Sequence, residues 1–360
     1  MKSKRKTDTM AEARRLAPFC LCGAQTSLHY LHTLVTTMEG VRRAEDSECV
    51  HDMRVASRRL RSVLPLFAAC LSRQTCDRWR KPLRRLTRAL EEARDTDVQI
   101  ACVHHFLDHE ANAQERHGAE RLLLRLQQRR HALQGPMVEA SERFVASQLT
   151  EEMEQTLTHL AHASRVSGAD TPGRYVYRQT RKAIRARLKA LQAYAPYVQQ
   201  PECSEELHAM RIAAKRLRYT MQAFAPLYPD ALEEPVRTAR TVQTILGDIH
   251  DCDVWAHDLP QFLEAERDCT LVYFGQAEPF APLVPGILAL QQNRQHYRAQ
   301  RYQEFVTFWN QVREQGVWER LQQRLEAAAG HAGHVTADDA ARVPVQGPAD
   351  TEKEVTVDQC

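Results

Sequence analysis

The sequence of 360 residues lacks any apolar run of the length that crosses a membrane, which takes roughly 20 residues in a helix. Its first ten residues, MKSKRKTDTM, are basic, but the apolar segment LAPFCLC that follows is short. A segment of that size is too brief for the apolar core of a secretory signal peptide. We therefore expect a cytoplasmic protein without a membrane anchor.

Glycine is scarce, with 13 residues, and stretches that alternate apolar and polar residues are nearly absent. The abundant residues are instead Leu, Ala, Arg, Gln and Glu, which favour helices. Apolar positions recur at i, i+3, i+4 and i+7 over most of residues 20–328, as expected of amphipathic helices. The sequence predicts an all-α protein of about eight or more helices, with breaks at segments that include RDTD, GPM and HDCD.

Cysteine is present but lacks the spacing of a metal site. Ten cysteines are scattered along the chain and no CxxC pair occurs. Several fall at apolar helical positions, where a thiol behaves as a small apolar side chain. We expect reduced, partly buried thiols, no disulfide framework and no zinc site.

Two segments of the chain are similar to two later ones. VHDMRVASRRLRSVLPLF (50–67) aligns with LHAMRIAAKRLRYTMQAF (207–224) at an offset of 157, and LEEARDTDV (90–98) aligns with LGDIHDCDV (246–254) at an offset of 156. Two linked pairs at nearly one offset indicate a tandem duplication, with a junction near 165–173. The predicted organisation is a basic arm (1–19), a first helical repeat (20–165), a second helical repeat (166–328) and a disordered acidic tail (329–360).

The first duplicated segment carries a stripe of cations. On a helix with 100° per residue, His51, Arg54, Arg58 and Arg61 fall within about 80°, opposite the apolar residues. The second copy repeats this stripe with His208, Arg211, Lys215 and Arg218. An ordinary solvated face mixes acids with bases, whereas these stripes contain almost no acids, and like charges at i,i+4 repel. The pattern favours an anion-binding face.

Further cations share faces of other predicted helices. We predict an extended anion site that also includes Lys81, Arg84, Arg88, Arg178, Arg181, Lys182, Arg185, Lys189, Tyr219, Arg237, Arg240, Arg294 and Arg298. The first copy has Ala24, Gln25, Leu28 and His32 where the second has Arg181, Lys182, Arg185 and Lys189. The site is therefore expected to be lopsided. Pro65, which replaces Gln222, is expected to end its helix early.

The Asp-x-Asp pairs have two interpretations. Asp95 with Asp97, and Asp251 with Asp253, contain carboxylates of the kind that hold a divalent metal. A structural role is favoured, as N-caps of the next helices and as partners that orient Arg59 or Arg216, because one pair per copy supplies too few ligands for a two-metal site.

The combination His-x-x-Arg-(Val/Ile)-x-x-(Arg/Lys)-Arg-Leu-Arg, followed by Asp-x-Asp-Val, resembles the CHAD family, the conserved histidine α-helical domain. The resemblance covers roughly residues 20–328 and holds for both copies. It implies two four-helix bundles related by pseudo-twofold symmetry around a central basic pore or cleft that binds inorganic polyphosphate. It also implies association with polyphosphate granules. The chain has no room for the triphosphate-tunnel domain fused to some members, so it is similar to the stand-alone ones.

We therefore expect a polyphosphate-binding protein without catalytic activity or cofactor. One alternative is an enzyme that acts on oligophosphate or polyphosphate with a divalent metal, although no Walker A loop or nucleophile arrangement is present. The other is a protein that binds the nucleic-acid backbone. Aromatic residues make up only 7% of the chain, and the basic stripes lack the stacking platform that single strands require.

Overall fold

The structure is a computed structural model that describes residues 2–43, 47–166 and 173–331, and every regular element in these ranges is helical. This confirms the all-α prediction. The helices in the first half are α1 (Lys2–Thr36), α2 (Met38–Arg43), α3 (Ser47–Val63), α4 (Arg73–His109), α5 (Arg116–Val145) and α6 (Gln148–Val166). Those in the second half are α7 (Arg174–Gln192), α8 (Ser204–Phe224), α9 (Glu233–Phe274), α10 (Val284–Glu314) and α11 (Val317–His331).

Some predicted helix ends are confirmed. Helix α3 ends at Val63, and a 3-10 turn from Leu64 to Phe67 carries Pro65. Proline has no amide hydrogen and cannot continue the α-helical hydrogen-bond pattern. Helix α4 then starts after Ser72, whose Oγ accepts a hydrogen bond of 3.0 Å from the amide of Thr75, a regular N-cap.

The breaks predicted at RDTD, GPM and HDCD are wrong, since α4, α5 and α9 run through them without interruption. The Asp-x-Asp residues therefore lie inside long helices and are not N-caps. Burial provides the reason, because apolar residues on both sides of these segments pack into the cores. Tertiary packing of this kind outweighs local propensity.

The main core joins the two halves of the chain. Phe67 and Phe224, which are equivalent in the two sequence copies, meet edge to face with ring centroids 5.5 Å apart. Phe19 of α1 packs against both rings. A contact between equivalent residues is expected near a pseudo-twofold axis, although the symmetric arrangement of two four-helix bundles remains a prediction.

A second, smaller core lies among α4, α5, α9 and α10, with Phe106 and Leu122 from the first half and Trp255 and Ile287 from the second. Here the start of α5 crosses the start of α10 closely. A Cβ atom on Gly118 would overlap the backbone at Leu283, and one on Gly286 would overlap the backbone at Glu115. Glycine is needed at both positions because backbones approach each other directly.

The cysteine prediction is wrong in one respect, because Cys20 and Cys70 form a disulfide that links α1 to the segment before α4. The scattered cysteine spacing in the sequence gave no signal for this pair, since α1 and the α3–α4 connection meet only in the folded protein. Seven cysteines in the described ranges are free. Disulfides are rare in reducing compartments, so this bond is an observation against the cytoplasmic prediction.

The predicted domain boundaries are only partly visible. The predicted arm, 1–19, is continuous with the first repeat, because α1 runs unbroken from Lys2 to Thr36. Residues 167–172 of the predicted junction, and the predicted tail from residue 332 onward, lie outside the described residues. Within the described ranges, no helix has both the length and the apolar character of a membrane span.

Candidate anion-binding site

The basic stripes of the two sequence copies come together where α3 packs against α8. The guanidinium carbon of Arg58 lies 5.5 Å from the centre of the Tyr219 ring. This cation–π contact fixes a cation of the first copy beside a residue of the second. Tyr219 is buried, so the predicted site residue acts as a support for guanidinium groups.

Lys215 lies at the centre of this meeting point. Burial, together with the neighbouring guanidinium groups of Arg58 and Arg211, lowers the pKa of its ammonium group to about 7. Arg54 acts in the same direction, and the carboxylate of Glu91 opposes it. Three arginines from two distant parts of the sequence therefore surround the half-buried Lys215, which is unfavourable unless an anion joins them.

Two of these guanidinium groups are incompletely satisfied. The Nε atoms of Arg58 and Arg211 are buried and have no hydrogen-bond partner in the described part of the chain. Arg211 packs against Gly247, where an added Cβ would lie 3.3 Å from Nε. Buried donors without acceptors are rare in folded proteins, and here they belong to the predicted binding residues.

The surface continues along the first copy. Burial lowers the pKa of Arg61. The carboxylate of Glu91 opposes this shift, and the nearby cations Arg84, Arg58 and Arg80 add to it. We call the group formed by Arg54, Arg58, Arg61, Arg84, Arg211 and Lys215 the basic cluster. Beyond it on α4, the predicted residues Lys81 and Arg88 are exposed. Sequence reasoning missed Arg80 and Glu91, which border the cluster.

A pair of histidines lies beside the cluster. The rings of His208 and His250 are 3.9 Å apart between centroids. Burial, with Arg211 and Lys215, lowers the pKa of His208, and burial together with His208 lowers that of His250 to about 4. Both rings are therefore neutral at pH 7 in the free protein. His51, the first-copy equivalent of His208, is buried. Sequence reasoning missed His250, whose only signal was its place directly before Asp251.

The four aspartates divide into two kinds. Asp97 Oδ1 accepts a hydrogen bond of 2.7 Å from Arg130 Nε, and Asp253 Oδ1 accepts one of 2.6 Å from Arg298 Nε. These ion pairs occupy equivalent places in the two copies and tie α4 to α5 and α9 to α10. In these two pairs the partners are Arg130 and Arg298, and not the predicted Arg59 and Arg216.

Asp95 and Asp251 instead lie close to the basic cluster. Although the side chain of Asp251 reaches solvent, the surrounding protein and the carboxylates of Asp248 and Asp95 raise its pKa to about 6, against the opposing effect of Arg211. Burial likewise raises the pKa of Asp95, while Arg54 opposes it. In the described part of the chain, no three His, Cys, Asp or Glu residues are arranged to hold a metal ion.

Several predicted ligands lie where a large anion does not reach them. Arg294 is 5% exposed, and its guanidinium donates to Asn293 Oδ1 and to Cys102 Sγ. Arg298 is held by Asp253. Arg218 is 2% exposed and lies over the Tyr219 ring. The inclusion of these arginines in the site is not supported by their positions, because their donors are directed into the protein.

The cationic stripe of α7 has its own contacts. Arg185 donates to Glu326 of α11 at 3.3 Å, and Arg178 lies over Tyr175 of its own helix. Arg181 lies near the hydroxyl of Tyr228. Other predicted ligands, Lys182 and Lys189 of α7 and Arg237 of α9, are exposed, and Arg240 is half-buried.

The sequence matches the profile of the CHAD domain family over residues 27–260. No curated protein matches the chain significantly. Among solved structures, the crystal structure of the CHAD domain from the plant Ricinus communis is similar, with a TM-score of 0.53 and 21% identity over 88% of this chain and 93% of that chain. At that identity the likeness concerns the fold alone, whereas the profile covers more than half of the sequence, and the chain therefore belongs to the CHAD domain family.

Proposed function

We propose that this protein binds inorganic polyphosphate through the basic cluster. The observation that supports this most directly is the position of Lys215, which is half-buried between Arg58 and Arg211 with its pKa lowered to about 7. Cations held together in this way repel one another in the free protein. A polyanion placed among them removes that repulsion and gains charge-assisted hydrogen bonds.

The chemistry of the cluster fits phosphate better than a single carboxylate. Guanidinium groups form two parallel hydrogen bonds with phosphate oxygens, and five of the six cluster residues are arginines. A chain of phosphates carries a charge at every unit and no bases, so it needs a row of cations and no aromatic platform. Lys81, Arg88 and Arg237 provide exposed cations with which a long polymer interacts beyond the cluster.

We further propose that binding takes place without catalysis and that it recruits the protein to polyphosphate granules. The resemblance to stand-alone CHAD proteins supports this proposal. The nearest acids, Asp95 and Asp251, are candidates for metal binding in the alternative of a phosphate-cleaving enzyme. Release of phosphate from polyphosphate in the presence of magnesium would favour that alternative.

The test compares two pairs of charge changes. Arg58→Gln with Lys215→Gln removes two cations of the cluster, and Arg129→Gln with Arg267→Gln removes two exposed cations outside it. We expect the first pair to weaken binding of long-chain polyphosphate about 100-fold, as two lost charged hydrogen bonds imply, and the second pair to have little effect. Equal losses would mean that binding depends on diffuse charge alone.

The same titration with duplex DNA of equal total charge, at two salt concentrations, tests the alternative that the protein binds the nucleic-acid backbone. Binding of any polyanion weakens as salt rises, because counterions are released from it. We expect polyphosphate to bind more tightly than DNA at both salt concentrations. Equal affinity for the two polymers contradicts a site specific for polyphosphate.

A further inference from the structure

A cavity of about 460 Å³ lies next to the basic cluster, between the turn that follows α3 and the first turns of α4. Its volume falls in the range of sites that enclose small organic molecules. Arg61 belongs both to this cavity and to the cluster, so the two are continuous. Inorganic polyphosphate has no apolar part, and the polyphosphate proposal therefore leaves this cavity without a role.

The inner surface of the cavity is mainly apolar. Its lining includes the buried residues Leu64 and Leu83, together with the exposed Pro65. Ala68 and Ala69 line it as well, and both are exposed. Their short side chains leave the space that larger residues would fill. The free energy falls when a flat apolar ring of a ligand is covered by such a surface instead of by water.

Charged groups surround the apolar base. Arg61 and Arg80 contribute guanidinium groups that have no hydrogen-bonded carboxylate partner in the described ranges, and they lie on the side of the basic cluster. The thiol of Cys76 is neutral, since burial raises its pKa. No thiolate therefore repels an anion that enters between these arginines.

One acceptor completes the lining. The carboxylate of Asp77 is exposed, and its ion pair with Arg73 is loose, at 3.9 Å. It therefore retains lone pairs for a hydroxyl or an amine of a ligand. The cavity thus offers an apolar surface for a ring, an acceptor for hydroxyl groups and two cations for phosphate.

We propose that this cavity binds the nucleoside part of a nucleoside triphosphate whose phosphates lie on Arg61 and Arg80. The base packs on Leu64 and Pro65, and the sugar hydroxyls donate to Asp77. This site shares Arg61 with the proposed polyphosphate site but does not require polyphosphate binding. It adds a small organic phosphate to the ligands of the basic cluster.

The experiment uses the full chain in magnesium-free buffer and measures affinity for ATP and for inorganic triphosphate by calorimetry. We expect ATP to bind about tenfold more tightly than triphosphate, the gain from covering an apolar ring. Ala69→Phe fills the cavity and is expected to reduce ATP affinity to that of triphosphate, without changing triphosphate affinity. Ala68→Phe is a second variant with the same expectation.

The matched control is Ala186→Phe, which adds the same ring at an exposed position on α7 and is expected to change neither affinity. Arg61→Gln is expected to weaken both ligands. Equal affinity of the wild type for ATP and triphosphate, or ATP binding that is unchanged by Ala69→Phe, overturns the proposal. Long-chain polyphosphate is titrated in the same series to separate the two proposals. If polyphosphate binds and ATP does not, the nucleoside site alone is overturned. If ATP binds and polyphosphate does not, the polyphosphate proposal alone is overturned.

Discussion

The two sequence copies place the same kinds of residue on the same helix faces but differ in which charges are permanent. Arg58 and Arg94 of the first copy correspond to Lys215 and His250 of the second. An arginine stays charged at every pH relevant to proteins, whereas lysine and histidine respond to burial. Here burial lowers the pKa of Lys215 to about 7 and that of His250 to about 4. The first copy thus holds a fixed charge and the second a pH-dependent one.

The copies also differ in how their first helix is fixed. In the first copy the Cys20–Cys70 disulfide links α1 to the segment before α4. At the position equivalent to Cys20 the second copy has Tyr177, whose ring meets that of Tyr228 at 5.4 Å. The Tyr228 hydroxyl and Thr180 Oγ1 are hydrogen bonded at 2.5 Å. The second copy therefore has an aromatic pair at the position where the first copy has a disulfide.

The largest expected effect on stability concerns the disulfide of the first copy and the aromatic pair of the second. Replacing both Cys20 and Cys70 by Ala is expected to lower the free energy of unfolding by about 2–4 kcal/mol, because the unfolded chain regains the freedom of a long loop. Tyr228→Phe in the second copy is expected to lower it by about 1 kcal/mol, the worth of one hydrogen bond. Urea denaturation without reductant measures both, with the exposed free Cys269→Ala as control. An unchanged midpoint in the double cysteine variant would contradict the disulfide.

A smaller effect on stability is expected from the Asp–Arg ion pair that both copies contain. Asp97→Asn and Asp253→Asn each leave a largely buried arginine without its carboxylate, with an expected loss of about 2 kcal/mol of stability. Because both pairs lie outside the basic cluster, polyphosphate affinity is expected to stay within about twofold. Denaturation and a binding titration of each variant give the two numbers. A fall in affinity of tenfold or more at unchanged stability would assign these acids to the ligand or to a metal.

The pH dependence separates the two copies directly. A bound polyanion raises the pKa of Lys215 above its free value of about 7, so binding takes up a proton when the pH is above 7. Affinity is therefore expected to fall about tenfold from pH 7 to pH 8.5. Lys215→Arg gives the second copy the permanent charge of the first and is expected to flatten that decline. An equally steep decline in this variant would assign the proton to another group.

The smallest effect concerns stability without ligand. Lys215→Met removes a buried cation from among arginines and is expected to raise the free energy of unfolding by about 1 kcal/mol at pH 6, where the lysine is charged. At pH 9 the lysine is neutral in the folded protein but still charged in the unfolded chain, whose lysine pKa is about 10.4. The gain is therefore expected to be smaller at pH 9 than at pH 6 and to vanish only above about pH 10. Arg58→Met is expected to give no gain, because it loses the contact with Tyr219. Thermal unfolding at the two pH values measures these changes, and a gain that is equal at both pH values would contradict the pKa assignment.

Much of the site could be predicted from the sequence because helical periodicity determines which side chains share a face. Periodicity placed Arg54 and Arg58 on one stripe and Arg211 and Lys215 on another, and in the structure these four side chains lie near one another. Periodicity does not tell which neighbouring helix covers a face. Arg294 belongs to an equally regular stripe, yet it is covered and satisfied by Asn293 and Cys102.

The same limit applies to the helices themselves. Local signals placed breaks at the Asp-x-Asp segments, but α4 and α9 continue because apolar residues on both sides pack into the cores. Arg130 and Arg298 of the next helices pair with Asp97 and Asp253 there. The cavity beside Arg61 had no signal in the sequence, since it arises from short side chains at the junction of two helices. Sequence patterns also missed His250, because a single histidine has no periodicity of its own.

Residue spacing is enough to predict the all-α class and the cationic faces, because both follow from helical periodicity, and the similarity of the two pairs of segments can be read from the sequence directly. The folded protein alone shows which cations of the two copies come together, which are buried in ion pairs and which cysteines form a disulfide. These outcomes depend on distances between helices far apart in the chain. Desolvation is the physical reason, since the charge state of a group such as Lys215 depends on how many neighbours replace the water around it.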